Sequence, residues 1–241
     1  MPERRLRAIL FDKDGTLTDF RASWLAKYVG AAEELARRAG AGPELAAELL
    51  ALAGFDARDG RFAPASPLLW ATSETIAACW RHHPRLWRMR EVEAVVRTHL
   101  ADDRRYPPKP VGDLEGLFRR LAARGYLLGL ATMDRAESAR LLAERFGFAG
   151  HLAFIAGADS GCGHKPEPGM VHAFCHRLGL DPEAVLVVGD SVADLEMAQR
   201  AGCGAAVAVR TGATPESDLR ARADALLSDV LSLEAWLAAQ E

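Results

Sequence analysis

The chain has 241 residues, 49% of them hydrophobic, and its 30 basic and 33 acidic side chains leave a net charge of -3. That balance gives no basic footprint for nucleic acid and no cationic face for an anionic membrane. No apolar run approaches the roughly 20 residues of a membrane span, and the length suits one sizeable domain or one and a half.

Arg4, Arg5 and Arg7 precede an apolar run in the manner of a signal peptide. The run is too short, however, and Asp12 and Asp14 end it, so no targeting signal is expected. Cys79, Cys162, Cys175 and Cys203 form no C-x-x-C pair, which fits a reducing, cytoplasmic setting. Lysine occurs only at Lys13, Lys27, Lys109 and Lys165. In a chain this rich in arginine, each retained lysine carries information, because a compact ammonium and a planar guanidinium do different work.

Ala8-Ile9-Leu10-Phe11 is a short apolar run cut off by Asp12, Lys13, Asp14 and Gly15, the pattern of a buried strand. Asp12 stands at its carboxyl end. Asp14 follows at the turn that Gly15 permits, so both carboxylates can face one crevice. Two carboxylates that close repel unless a cation or a proton lies between them.

From Phe20 to about Arg105 the chain shows no convincing strand. Trp24, Leu25, Tyr28, Val29, Ala32, Leu35 and Ala36 recur at helical spacing, and Gly40 and Gly42 stop that helix. A second helix runs from Pro43 to Leu52, and 54–65 reads as a loop. Ser66-Pro67 opens a third helix that reaches His82. A fourth covers Arg90 to Leu100. Asp102 to Pro110, with three prolines, reads as a return linker.

Alternation then begins. Asp113 caps a helix that Gly125 closes. Strands are expected at Tyr126–Ala131, Leu152–Ile155, Val185–Val188 and, last, Ala205–Val209. Helices are expected at Arg135–Phe146, Pro168–Leu178, Val192–Ala201, Pro215–Arg222 and Leu231–Ala239. This order predicts an α/β fold, a parallel sheet with helices on both faces.

Asp12, Thr132 and Asp190 each stand just beyond an apolar strand, where open parallel sheets bind ligands. Asp194 lies four residues after Asp190, one turn along a helix start, so four carboxylates can gather at one mouth. Hard oxygen donors without His or Cys suit magnesium. Helix capping by Ser191 and Asp194 is the alternative reading of that stretch. Thr132 and the backbone at Met133 form an anion site or an ordinary cap. Lys165, in His164-Lys165-Pro166-Glu167, neutralises developing charge or is simply solvated. His172 and His176, with Cys175, Cys162 and His164 nearby, make zinc conceivable, although the spacing matches no common zinc pattern.

Taken in order, Asp12-Lys13-Asp14-Gly15-Thr16, the strand-end Thr132, Lys165-Pro166 and Gly189-Asp190-Ser191-Val192-Ala193-Asp194 resemble the four motifs of the haloacid-dehalogenase-like hydrolases. Lys165-Pro166-Glu167-Pro168-Gly169 is similar to a run of the phosphoglycolate-phosphatase-like group. The resemblance implies a Rossmann-like doubly wound core at 1–19 and 106–241, with residues 20–105 as a helical cap of the first type. It implies Asp12 as nucleophile and Asp14 as general acid and base. It further implies Mg2+ held by Asp12, Asp14 through its carbonyl, and Asp190, with phosphate bound by Thr132, Met133 and Lys165. Ser191 and Asp194 would orient these groups from behind, and Thr18–Arg21 and Arg104–Pro110 would be hinges. Arg21, Trp24 and Lys27 would either read substrate or serve packing and solvation.

The activity implied is magnesium-dependent hydrolysis of a small phosphorylated metabolite, phosphoglycolate first, through an aspartyl-phosphate. The alternatives are a phosphomutase of the same superfamily, a phosphoacceptor signalling module, or a catalytically quiet binding member. Lys13 and Asp134 depart from the family pattern, and a carboxylate at Asp134 would repel phosphate unless turned away.

Overall fold

The computed structural model describes residues 6–63, 65–69 and 71–240. Arg4 and Arg5, singled out in the sequence, lie outside them. The chain divides into two compact units, one running up to Phe20 and resuming at Pro110, the other Arg21–Lys109.

The first unit is built on six strands: β1 (Ala8–Phe11), β4 (Leu127–Ala131), β5 (Leu152–Ala156), β6 (Val185–Gly189), β7 (Ala205–Val209) and β8 (Ala225–Leu227). Their order is β5-β4-β1-β6-β7-β8, and every pairing is parallel. The central strand is wholly apolar and fully buried because both its faces are covered. Ile9 and Phe11 point to one face, against helices α5 (Leu114–Ala123), α6 (Ala136–Arg145) and α10 (Leu233–Ala238). Ala8 and Leu10 point to the other, against α7 (Gly169–Leu178), α8 (Val192–Ala201) and α9 (Glu216–Arg220). This is the two-residue alternation of a strand applied to a two-sided core. Phe118 anchors the first face, its ring 5.0 Å from Phe11 and 4.2 Å from Phe148.

Chain order reverses at β1. Its neighbours β4 and β6 come from opposite arms of the winding, and such a switch point opens a crevice at the carboxyl ends of the strands. In register, Phe11 lies beside Leu130 on one side and Val188 on the other. Asp12, Thr132 and Asp190 therefore emerge together.

The second unit contains α1 (Phe20–Arg38, begun at the boundary), α2 (Pro43–Leu52), α3 (Ser73–Arg81) and α4 (Val92–Ala101). Three expectations need correction. The 54–65 loop contains a hairpin, β2 (Phe55–Asp56) with β3 (Arg61–Phe62), whose two rings meet at 4.9 Å. Two residues per strand are too few to show a period. The helix expected from Ser66 to His82 is broken. Pro67–Leu69 is a 3-10 turn, and Thr72 caps α3 by accepting from the Thr75 amide. The Ser66 hydroxyl donates to the Ala53 carbonyl at 2.6 Å and accepts from the Leu68 amide at 3.2 Å. In the sheet, β7 is not the last strand, since the three-residue β8 pairs with it. Among the described residues, no helix is long and apolar enough to cross a membrane.

Candidate active site

β1 ends by donating the Asp12 amide to the Val188 carbonyl at 2.8 Å, which fixes the Asp12 backbone at the lip of the sheet. The chain then turns through Gly15, whose φ of 88° suits glycine. A side chain at Gly15 or at Gly212 would collide with the Asp190 carboxylate. Two backbone segments far apart in sequence thus close around Asp190. Thr16 Oγ1 donates to Asp190 Oδ1 at 3.1 Å, and Thr211 Oγ1 donates to the Gly15 carbonyl at 2.7 Å. Thr211 and Gly212 are not marked in the sequence, because nothing local identifies a glycine that serves a carboxylate 22 residues upstream.

Lys165 is buried, its ammonium 2.5 Å from Asp12 Oδ1 and 2.6 Å from Asp194 Oδ1. The solvated alternative is excluded. Asp194 uses both oxygens, since Oδ2 accepts from the Ser191 amide and hydroxyl at 3.1 and 2.6 Å. Ser191 and Asp194 form a capping box at the start of α8. Capping and site building are therefore the same contacts: the cap fixes the carboxylate that fixes the lysine.

The carboxylates of Asp12, Asp190 and Asp194 lie within 4.8 Å of one another. Burial raises the Asp12 pKa first; Lys165 opposes it, Asp194 and Asp14 add to it, and the result is about 6. Asp190 is pushed well above the ordinary carboxylate range, again by burial first and then by Asp12 and Asp194. Burial would also drive the Lys165 ammonium down, but Asp12 and Asp194 outweigh it and hold the pKa up. Three clustered carboxylates thus have one ammonium, which meets Asp12 and Asp194, and the Asp12 Oδ2 atom is buried without a hydrogen-bond partner. An excess of hard oxygen donors around an orphaned carboxylate oxygen fits a divalent cation.

Asp14 faces elsewhere. Its Oδ2 lies 2.6 Å from Lys13 Nζ, and its Oδ1 accepts from Thr18 Oγ1 at 3.4 Å. Lys13 is buried and also donates to Asp134 Oδ2 at 3.0 Å. The two departures from the family pattern are therefore partners: Asp134 is turned onto Lys13. Thr132 is buried, and its hydroxyl oxygen accepts from the Asp134 amide at 3.0 Å. Met133 is 45% exposed.

Other candidates fall away. His172 and His176 are exposed and Cys175 is buried in the core. Among the described residues the one cluster able to hold a metal is Asp12, Asp190 and Asp194, which leaves no zinc site. The Lys27 ammonium is engaged inside its own unit by the Leu100 carbonyl at 2.8 Å and Asp103 at 2.6 Å.

Known proteins resemble this chain in family and in fold. Residues 6–202 match the family model described as haloacid dehalogenase-like hydrolase. The chain belongs to that family and is an enzyme of its hydrolase class. It is 29% identical to the Probable phosphatase IndB of Dickeya dadantii over 93% of this chain and 90% of that protein. It is 33% identical to the phosphoglycolate phosphatase of Rhodospirillum rubrum, over 55% of this chain and only 57% of that one. A haloacid-dehalogenase-like hydrolase from Streptococcus pneumoniae shares the fold, with a TM-score of 0.68 at 19% identity, over 96% of this chain and 98% of that one.

Proposed function

We propose that this hydrolase is a magnesium-dependent phosphatase acting on a small phosphomonoester metabolite, phosphoglycolate being the first candidate. The observation that carries the reading is the buried Asp12 carboxylate, with one oxygen on Lys165 and the other without a protein partner. A carboxylate held in that way is oriented for attack yet not consumed by hydrogen bonds.

Phosphate-monoester hydrolysis is among the slowest uncatalysed reactions, so the site must lower the barrier by roughly 20 kcal/mol or more. In this reading an Asp12 oxygen attacks phosphorus, and the bond from phosphorus to the leaving oxygen breaks as Asp14 protonates that oxygen. Asp14 then takes a proton from water, which attacks the aspartyl-phosphate and restores Asp12. Thr132, the Met133 backbone and Lys165 hold the phosphoryl oxygens. Asp12, the Asp14 carbonyl and Asp190 would hold magnesium, which supplies charge neutralisation between nucleophile and phosphate. Ser191 and Asp194 keep Lys165 in place, and the helical unit serves as the cap.

The test is phosphate release from a panel of small phosphomonoesters, with and without magnesium, for the native chain and Asp12→Asn. Magnesium-dependent turnover that falls roughly 10^4-fold or more in the variant supports the reading. No release from any ester by the folded, magnesium-loaded chain overturns it, and activity only with a bisphosphate activator would instead indicate a mutase.

A further inference from the structure

Lys13 interrupts a motif that otherwise needs only carboxylates and a turn, and its side chain does not reach solvent. The ammonium, 3% exposed as a residue, lies 2.6 Å from Asp14 Oδ2, 3.0 Å from Asp134 Oδ2 and 3.5 Å from Ser138 Oγ. Asp134 is pinned in turn. Its Oδ1 accepts from the Arg135 amide at 2.7 Å, and its own amide donates to Thr132 Oγ1 at 3.0 Å. A continuous chain of contacts therefore runs from Asp14 through Lys13 and Asp134 to Thr132, joining the loop after β1 to the loop after β4.

We infer that Lys13 and Asp134 form a positioning pair that fixes the Asp14 carboxylate relative to the Thr132 hydroxyl; the inference rests on the phosphatase reading above. Three observations favour this over simple structural pairing. An apolar side chain in the Lys13 position would avoid the desolvation of a buried ammonium, and buried ion pairs are often no more stabilising than such replacements. The charge of Lys13 is matched by Asp134, so the pair adds no net charge beside Asp14; what it adds is geometry. The other contact to Asp14, from Thr18, is long at 3.4 Å, which leaves Lys13 as the short restraint on that carboxylate. Sharing the ammonium with Asp134 keeps it from closing on Asp14 alone. Burial would lower the Lys13 pKa, but Asp14 and Asp134 outweigh it, so the ammonium stays charged across the working range.

A residue that positions a proton donor has a signature that a merely structural residue lacks. An alkyl phosphate needs a proton on its leaving oxygen, whereas 4-nitrophenyl phosphate leaves as a stabilised phenolate and needs little help. The experiment compares kcat/KM for both esters, with magnesium, in the native chain, Lys13→Met and Asp134→Asn, with a thermal melt of each to confirm folding. The expected result is a loss at least tenfold greater for the alkyl ester than for the aryl ester in Lys13→Met. Asp134→Asn keeps the shape of the side chain and should show the same bias, smaller in size. It carries the test if Lys13→Met does not fold. Equal losses on the two esters in a folded variant, or none, overturn the inference while leaving an active phosphatase. The alkyl ester is the one the native chain cleaves fastest in the panel above; a native chain that cleaves none of that panel overturns the phosphatase reading and this inference with it.

Discussion

Both units of this protein bury charge, but they do it differently. In the helical unit the buried Lys27 ammonium and the His99 ring each have a local partner. Lys27 meets Asp103 and a helix-end carbonyl, and His99 meets the Tyr106 hydroxyl at 3.1 Å. In the sheet unit three carboxylates, Asp12, Asp190 and Asp194, crowd together at the end of the central strand, and one ammonium meets two of them. The first pattern ties elements together. The second leaves an unbalanced charge and an orphaned oxygen where a ligand can enter. Burial alone does not mark a site; imbalance does.

The sharpest way to break this comparison is to remove the two lysines in turn. Lys165→Met leaves the carboxylate cluster uncompensated and should cost about 3 kcal/mol in metal-free protein, a fall in Tm of roughly 6–12 °C. Lys27→Met removes one contact from Asp103, whose side chain is 52% exposed, and one from the Leu100 carbonyl, and should cost under about 1 kcal/mol. Equal losses would show that the cluster is not special.

A smaller effect follows from magnesium. Because Asp12 carries its proton up to about 6 in the fold but only to its ordinary value of 3.8 when unfolded, the native state binds more protons between those values. Metal-free protein should therefore lose stability as pH rises from about 4 to about 6. Magnesium at 100 times its Kd should add about 2.7 kcal/mol at neutral pH, and Asp190→Asn should abolish most of that gain. Thermal melts with and without the ion, across pH, check both points.

The smallest effect is of opposite sign and belongs to the helical unit. Burial, and then Arg105, lower the His99 pKa below 6.5. Its stabilising contribution is fully present above 6.5 and is lost as pH falls through the depressed value. His99→Asn should flatten the acid side of the melting profile by about a degree or two. A steeper profile in the variant would contradict this assignment.

Much of the site was legible because strand ends are marked in sequence. Each of Asp12, Thr132 and Asp190 follows an uninterrupted apolar run, and the parallel order of those runs brings the ends together. The same logic failed where elements are too short to carry a period. The hairpin of Phe55–Asp56 with Arg61–Phe62, and the strand Ala225–Leu227, are held by pairing partners rather than by their own composition. The pairing of Lys13 with Asp134 spans 121 positions and left no local mark. Each residue read singly looked like a departure from the family pattern, and only the fold shows that they cancel. Gly212 was invisible for the same reason, its role being to leave room for Asp190.

The most direct test of the central claim is to quench the native chain in acid during turnover of a phosphomonoester with magnesium, and to map any adduct by mass spectrometry. The account predicts one phosphoryl group on the peptide containing Asp12, formed only with substrate and missing in Asp12→Asn. Turnover that continues in Asp12→Asn, or a phosphoryl group found on another residue, would contradict it.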